Sequence, residues 1–162
     1  RTVDRDQKHM NHVLAAAAKH EGTAFVEIMQ NCIVFNDGAW QQYTEKGIKE
    51  QNVIYLEDGK PLVFGPDDDR KGVRLNDFKT EVVSADDSEL TVHRENDEEG
   101  AYVHMLSRLE ADGGPLPLGI FRNIERAPYE EMLHNQVDAA VANGEGDVDE
   151  LLATGDTWIH TN

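Results

Sequence analysis

Ala24-Phe25-Val26-Glu27-Ile28-Met29, running directly into Gln30-Asn31-Cys32-Ile33-Val34-Phe35-Asn36-Asp37-Gly38-Ala39-Trp40, is the stretch on which the fold turns. The first six residues are apolar apart from Glu27 and read as a strand buried on both faces, the signature of a parallel sheet. Upstream, Met10, Val13, Leu14 and Ala17 recur at i, i+3, i+4 and i+7, the stripe of an amphipathic helix. Asp4 and Gln7 make a capping-box-like start for it, Lys19 and His20 suit its last turn, and Gly22 can supply a left-handed stop. Helix, glycine loop and apolar strand form the second half of a βαβ unit, with no first strand evident upstream. A parallel strand needs partners for its ladder groups, so its sheet is expected to be largely absent from this chain or supplied by another. Since the sequence also opens at Arg1 on a helix already under way, it reads as a fragment.

Beyond Trp40 the texture changes to short β candidates. Val53-Ile54-Tyr55-Leu56 is one, and Asp58-Gly59 offers a two-residue hairpin turn toward Leu62-Val63-Phe64. Phe78–Val83 and Leu90–His93 follow, joined by the acidic turn Ser84–Glu89. A helix is expected over 98–110, with Ala101, Met105, Leu106 and Leu109 inward and Gly113-Gly114 ending it. Leu118–Phe121 reads as a short apolar strand or extended segment. Pro128 opens a helix carrying Met132, Leu133, Val137, Ala140 and Val141, closed by Asn143-Gly144, and Asp147 caps a short helix stopped by Gly155. The fold class expected is α/β: the end of a parallel-sheet domain over 1–40, then a smaller α+β extension over 41–162.

The composition restricts partners. Among 162 residues, 32 Asp and Glu against 15 Lys and Arg give a net charge of −17. Phosphate backbones and anionic membranes need a basic surface, so neither nucleic acid nor membrane is expected. Asp67-Asp68-Asp69, Asp86-Asp87 and Asp97-Glu98-Glu99 read as solvated surface, and such acidity also suits a salty cytoplasm. Cys32 is the only cysteine, which excludes an internal disulfide. No apolar run approaches a membrane span and no signal peptide is present, so a soluble, cytoplasmic protein is expected.

Cys32 has two readings: a small buried hydrophobe among Ile33, Val34 and Phe35, or one ligand of a site whose other ligands lie elsewhere. An iron–sulfur cluster takes about four thiolates, so one cysteine cannot build it alone. His9 and His12 lie three apart on the first helix, but without a carboxylate at a ligand spacing they read as a solvated face. His104 and His134, on amphipathic helices, read likewise. Glu27, inside an apolar strand, must be paired or shifted in pKa, and a functional carboxylate and a structural hydrogen bond both fit. Asn36-Asp37-Gly38 is a turn. Gly144-Glu145-Gly146-Asp147 and Gly155-Asp156 lack the strand–loop–helix setting of a phosphate cradle, and Ser84, Ser88 and Ser107 lie in no nucleophile motif.

Lys8-His9-Met10, Ala24-Phe25-Val26-Glu27-Ile28, Gln30-Asn31-Cys32 and Phe35-Asn36-Asp37-Gly38-Ala39 together resemble the β subunit of 2-oxoacid:ferredoxin oxidoreductases, nearest to the 2-oxoglutarate type. The resemblance continues through Val53–Gly59, Pro117–Arg122 and Leu151-Leu152…Gly155-Asp156-Thr157-Trp158, so it covers nearly the whole chain as the C-terminal half of such a subunit. It implies that 1–40 closes a thiamine-diphosphate-binding domain and that 41–162 is the subunit's C-terminal extension. It further implies oxidative decarboxylation of a 2-oxoacid with thiamine diphosphate and Mg2+, one-electron transfer through a [4Fe-4S] cluster to ferredoxin, and capture of the acyl group by coenzyme A. Cys32 matches the family's remote cluster ligand, with backbone N–H groups around it as natural donors to sulfur. The family's upstream cysteines and its Gly-Asp-Gly…Asn segment have no counterpart here, so no thiamine-binding or catalytic residue is assigned and the fragment is expected to be inactive alone. The activating glutamate is expected on the partner α subunit, not at Glu27. Ferredoxins are generally acidic, so repulsion over a Debye length of ~8 Å predicts docking on another surface or at high salt. The rival reading is an interaction domain that keeps the fold without cofactors.

Overall fold

The computed structural model describes residues 1–76, 79–144, 146–156, 158 and 160. They divide into two compact units, Arg1–Glu125 and Arg126–Asn162.

The first unit is mixed α/β with small parallel sheets. It opens on β1 (Thr2–Val3), α1 (Gln7–Lys19) and β2 (Ile28–Met29), and β1 runs parallel to β2 in the register Thr2↔Ile28, Val3↔Met29. The βαβ unit therefore has its first strand, two residues long and too short to register as an apolar run. Thr2 N–H donates to the Glu27 carbonyl at 2.9 Å and Asp4 N–H to that of Met29 at 3.0 Å. The doubly buried strand expected over 24–29 contracts to its last two residues. With only β1 beside it, the backbone of 24–26 finds no ladder, and Phe25 is 91% exposed. The helix cap also differs from expectation: the Asp6 carboxylate, not that of Asp4, accepts the His9 N–H at 3.1 Å.

After two single-turn helices, α2 (Gln41–Thr44) and α3 (Lys49–Asn52), come β3 (Val53–Tyr55), β4 (Val63–Phe64), β5 (Lys71–Asn76), β6 (Lys79–Ser84), α4 (Ala101–Arg108) and β7 (Leu116–Leu118). The turn at Asp58-Gly59 forms, with Gly59 at φ +72°. It does not close a hairpin, because β3 pairs in parallel with β7 (Val53↔Leu116, Tyr55↔Leu118) while β4, β5 and β6 make a separate antiparallel sheet. Most of the strand expected at 78–83 is β6; Phe78 lies outside the described residues. Leu90–His93 forms no strand; Val92 bridges Pro61, and Thr91 bonds β5, its N–H donating to the Val73 carbonyl at 2.9 Å and its Oγ1 accepting the Leu75 N–H at 3.0 Å.

Alternation along β3 organises the interior. Successive strand residues point to opposite faces. Ile54 and Leu56 enter one apolar cluster with Leu62, Phe64, Val73, Tyr102, Leu106 and Leu109. Val53 enters a second with Val3, Met29, Tyr43, Leu116 and Leu118, against which Trp40 packs. The second cluster thus anchors both β2 and Trp40, the two ends of the Cys32 loop.

In the second unit, α5 (Tyr129–Ala142) begins directly after Pro128, and α6 (Val148–Ala153) is capped by Asp147, whose carboxylate accepts the Asp149 N–H at 2.8 Å. The apolar residues of both helices, Met132, Leu133, Val137, Val141, Leu151 and Leu152 among them, are exposed. No helix among the described residues is long and apolar enough to cross a membrane.

Candidate functional site

Residues 30–40 form a closed loop whose two ends are held by buried neighbours. Met29, buried beside Val3, fixes the entry. Trp40 fixes the exit, and its indole N–H donates to the Gln30 carbonyl at 3.1 Å across the base. Inside, the Asn31 side chain grips the far limb: Oδ1 accepts the Gly38 N–H at 2.9 Å and Nδ2 donates to Asp37 Oδ1 at 2.9 Å. Gly38 takes φ +77°, a left-handed conformation that favours glycine. The Asn36 N–H donates to the Cys32 carbonyl at 2.9 Å, drawing the chain into a tight turn around the cysteine.

The backbone N–H groups of Phe35 and Val34, and least of all that of Asn36, hold the Cys32 pKa below its ordinary value against the opposing effect of burial. Cys32 is exposed, as are Ile33, Val34 and Phe35 beside it. The buried-hydrophobe reading of this cysteine is therefore overturned. An accessible thiol with a lowered pKa is chemically suited to serve as a thiolate ligand. One thiolate is all that it offers: no group of three or more His, Cys, Asp or Glu able to hold a metal ion comes together among the described residues. Among the described residues the donor set thus offers at most one ligand to a cluster.

The other residues singled out in the sequence do not join this loop. His9 bonds Thr2 Oγ1 at 2.8 Å and stacks edge-on against Tyr55, with ring centroids 5.1 Å apart, whereas His12 is exposed. They form no metal clasp. Glu27 is exposed and bonds Arg1 Nε at 2.6 Å, so its charge is met by an ion pair and its role is local.

Two features escaped the sequence reading. A cleft of about 440 Å3 opens between α1, residues 23–27 and residues 119–123, with Val13, Phe25 and Phe121 on its walls and Arg1 and Arg122 at polar positions. It forms because 24–27 stays out of the sheet. The second is His93, 1% exposed, bonded to Tyr102 Oη at 2.9 Å and to the Ile120 carbonyl at 2.8 Å. Its place at the end of the apolar run Leu90–Val92 was the available signal.

No family model matches the chain, and no solved structure matches it. Among curated proteins it is similar to the 2-oxoglutarate oxidoreductase subunit KorB of Mycobacterium tuberculosis (strain ATCC 25618 / H37Rv), with 37% identity over 166 aligned residues. The match spans 98% of this chain and 44% of that subunit, so the chain covers a little under half the length of its relative. Along almost its entire length, therefore, the chain is similar to part of a 2-oxoglutarate oxidoreductase subunit, in line with the resemblance drawn from its motifs.

Proposed function

We propose that the chain is part of the β subunit of a 2-oxoacid:ferredoxin oxidoreductase, with 2-oxoglutarate as the first substrate to test. In the assembled enzyme the 2-oxoacid is decarboxylated oxidatively, coenzyme A accepts the acyl group, and ferredoxin accepts the electrons. Residues 1–40 close the domain that holds thiamine diphosphate and Mg2+, residues 41–162 extend it, and an α subunit completes the complex. No catalytic residue is assigned within residues 1–162.

The observation that carries this reading is Cys32: an exposed thiol, held below its ordinary pKa by the backbone of Phe35 and Val34, that matches the family's remote cluster ligand by motif. A [4Fe-4S] cluster, when bound, supplies one-electron transfer between the thiamine site and ferredoxin. The residues of this chain do the holding. Cys32 supplies one thiolate, its neighbouring N–H groups stabilise negative charge on sulfur, and the Asn31 grip keeps that geometry fixed. The similarity to KorB over 98% of the chain supports the same assignment, as does a net charge that disfavours nucleic acid.

The test is an assay of the complete enzyme, with its α subunit, for ferredoxin reduction dependent on both 2-oxoglutarate and coenzyme A. Reduction that requires both substrates is expected. A complex that reduces ferredoxin with neither 2-oxoglutarate nor another 2-oxoacid overturns the proposal.

A further inference from the structure

We infer that α5 is a docking helix whose apolar face seats on the companion α subunit, in an apolar groove rimmed by Lys and Arg. This rests on the proposed place of the chain in a multi-subunit oxidoreductase. It goes beyond that reading because it gives residues 129–142 a partner and that partner's groove a chemistry.

The pattern along α5 is the first observation. Leu133, Val137, Ala140 and Val141 fall at i, i+4, i+7 and i+8, one stripe of the helix, and Met132 widens it. Glu131, Asn135 and Asp138, at i, i+4 and i+7, make the opposite face polar. A stripe of this kind is normally buried against a neighbour, yet none of the described residues of 126–162 is buried. The other helix of this unit is no better covered, with Leu151 and Leu152 70% and 75% exposed. Single exposed apolar residues are ordinary, but a contiguous face of them marks a contact surface. A helix of 14 residues is marginal in water by itself, so α5 draws its stability from what its apolar face meets.

Charge selects the occupant. Residues 126–162 carry eight Asp and Glu against one basic side chain, Arg126. A helix that lies on an anionic membrane has Lys and Arg on its polar face, and α5 has neither residue anywhere. A second copy of this chain, at −17, sets like charge against like, and an acidic ferredoxin does the same. The surface that complements α5 is a protein groove that takes Leu133, Val137 and Val141 at helical spacing. Its rim is basic where it meets Glu130, which lies seven residues before Val137 at the edge of the stripe. In the proposed enzyme the chain that supplies this groove is the α subunit.

The inference is tested in the complete enzyme by replacing Val137 with the photoreactive p-benzoylphenylalanine, irradiating, and mapping the linked peptides by mass spectrometry. Hydrogen exchange over 129–142 is compared between the complete enzyme and this subunit alone. Retention of the α subunit is measured at low and high KCl for wild type, Val137→Asp, Val137→Leu and Glu130→Lys. The expected crosslink is to an α-subunit peptide that carries Lys or Arg among apolar residues, with exchange slowed about tenfold or more in the complete enzyme. Val137→Asp should lose about tenfold in retention and Val137→Leu should keep it. Glu130→Lys should lose about threefold at low salt, a difference that closes at high salt. A crosslink within the same polypeptide or to a second copy overturns the inference, as does unchanged exchange or tighter retention in Glu130→Lys. If Val137→Asp gives no soluble subunit, the crosslink and Glu130→Lys decide. None of these readouts uses turnover, so failed ferredoxin reduction with the expected crosslink removes the activity reading and leaves the docking helix standing.

Discussion

The carboxamide of Asn31 spans the Cys32 loop to Gly38, accepting its N–H at 2.9 Å while donating to Asp37 at the same distance. Both bonds are exposed, each worth about 0.5–1.5 kcal/mol net, so their main effect is on loop geometry rather than on global stability. Loosening the grip misaligns the N–H donors that favour the Cys32 thiolate. Alkylation of Cys32 by iodoacetamide is therefore expected to have a pH midpoint below the ordinary cysteine value of about 8.5. In Asn31→Leu the midpoint moves up toward that value. An identical midpoint in both proteins contradicts the assignment of the grip.

His93 gives the stability a pH dependence with a definite sign. The Ile120 carbonyl can only accept, so Nε2 carries the proton and Nδ1 accepts from Tyr102, whose own pKa burial pushes up to about 12. Burial lowers the His93 pKa, and burial does the same for His9. Below the unfolded-state value of about 6.5 the unfolded chain binds protons that the folded chain refuses, so stability falls as pH falls from 7 toward 5. Urea unfolding at a series of pH values should show that loss, with a weaker dependence in His93→Gln. Tyr102→Phe leaves Nδ1 buried without a partner and should cost about 1–3 kcal/mol at pH 7.

Gly119 is a backbone contact that no side chain can replace. It exchanges two hydrogen bonds with Arg1, at 2.8 and 2.9 Å, and sits at φ +137°. A Cβ there would lie 2.8 Å from Leu56 Cβ and 3.0 Å from its carbonyl oxygen. Gly119→Ala should destabilise the first unit by about 2–3 kcal/mol, combining overpacking with an unfavourable φ. Gly113→Ala, where a Cβ meets nothing within 4 Å although φ is +90°, isolates the conformational share and should cost less. Equal losses in the two variants, measured by denaturant unfolding, contradict the role of the Leu56 contact.

A net charge of −17 on 162 residues opposes compaction at low ionic strength. Raising KCl from about 0.01 M, where the Debye length is ~30 Å, to about 1 M, where it is ~3 Å, should raise the thermal midpoint. A midpoint that is flat or falls sinks the view of this surface as salt-adapted.

What the sequence revealed and what it hid divide along one physical line. Features written by local chemistry were readable: the stripe of α1, Pro128 before α5, Asp147 capping α6, and the motif string around Cys32. Features that depend on what lies alongside were not. Residues 24–29 have the composition of a doubly buried strand, but only Ile28 and Met29 find a partner, so Phe25 lies open to solvent. Asp58-Gly59 has the chemistry of a hairpin turn, yet β7, more than fifty residues downstream, takes the edge of β3. Thr2–Val3 is too short for any periodicity to announce. For Cys32 the proposed ligand role came from its motif, whereas its exposure needed the fold.

The most direct measurement is iron and acid-labile sulfide per subunit in the complete enzyme, wild type against Cys32→Ser, with assembly checked by size-exclusion chromatography. If Cys32 is the remote ligand, the variant assembles with its cluster lost or degraded to fewer irons and cannot pass electrons from 2-oxoglutarate to ferredoxin. A variant that keeps a full complement of iron and sulfide, with wild-type ferredoxin reduction, contradicts the assignment.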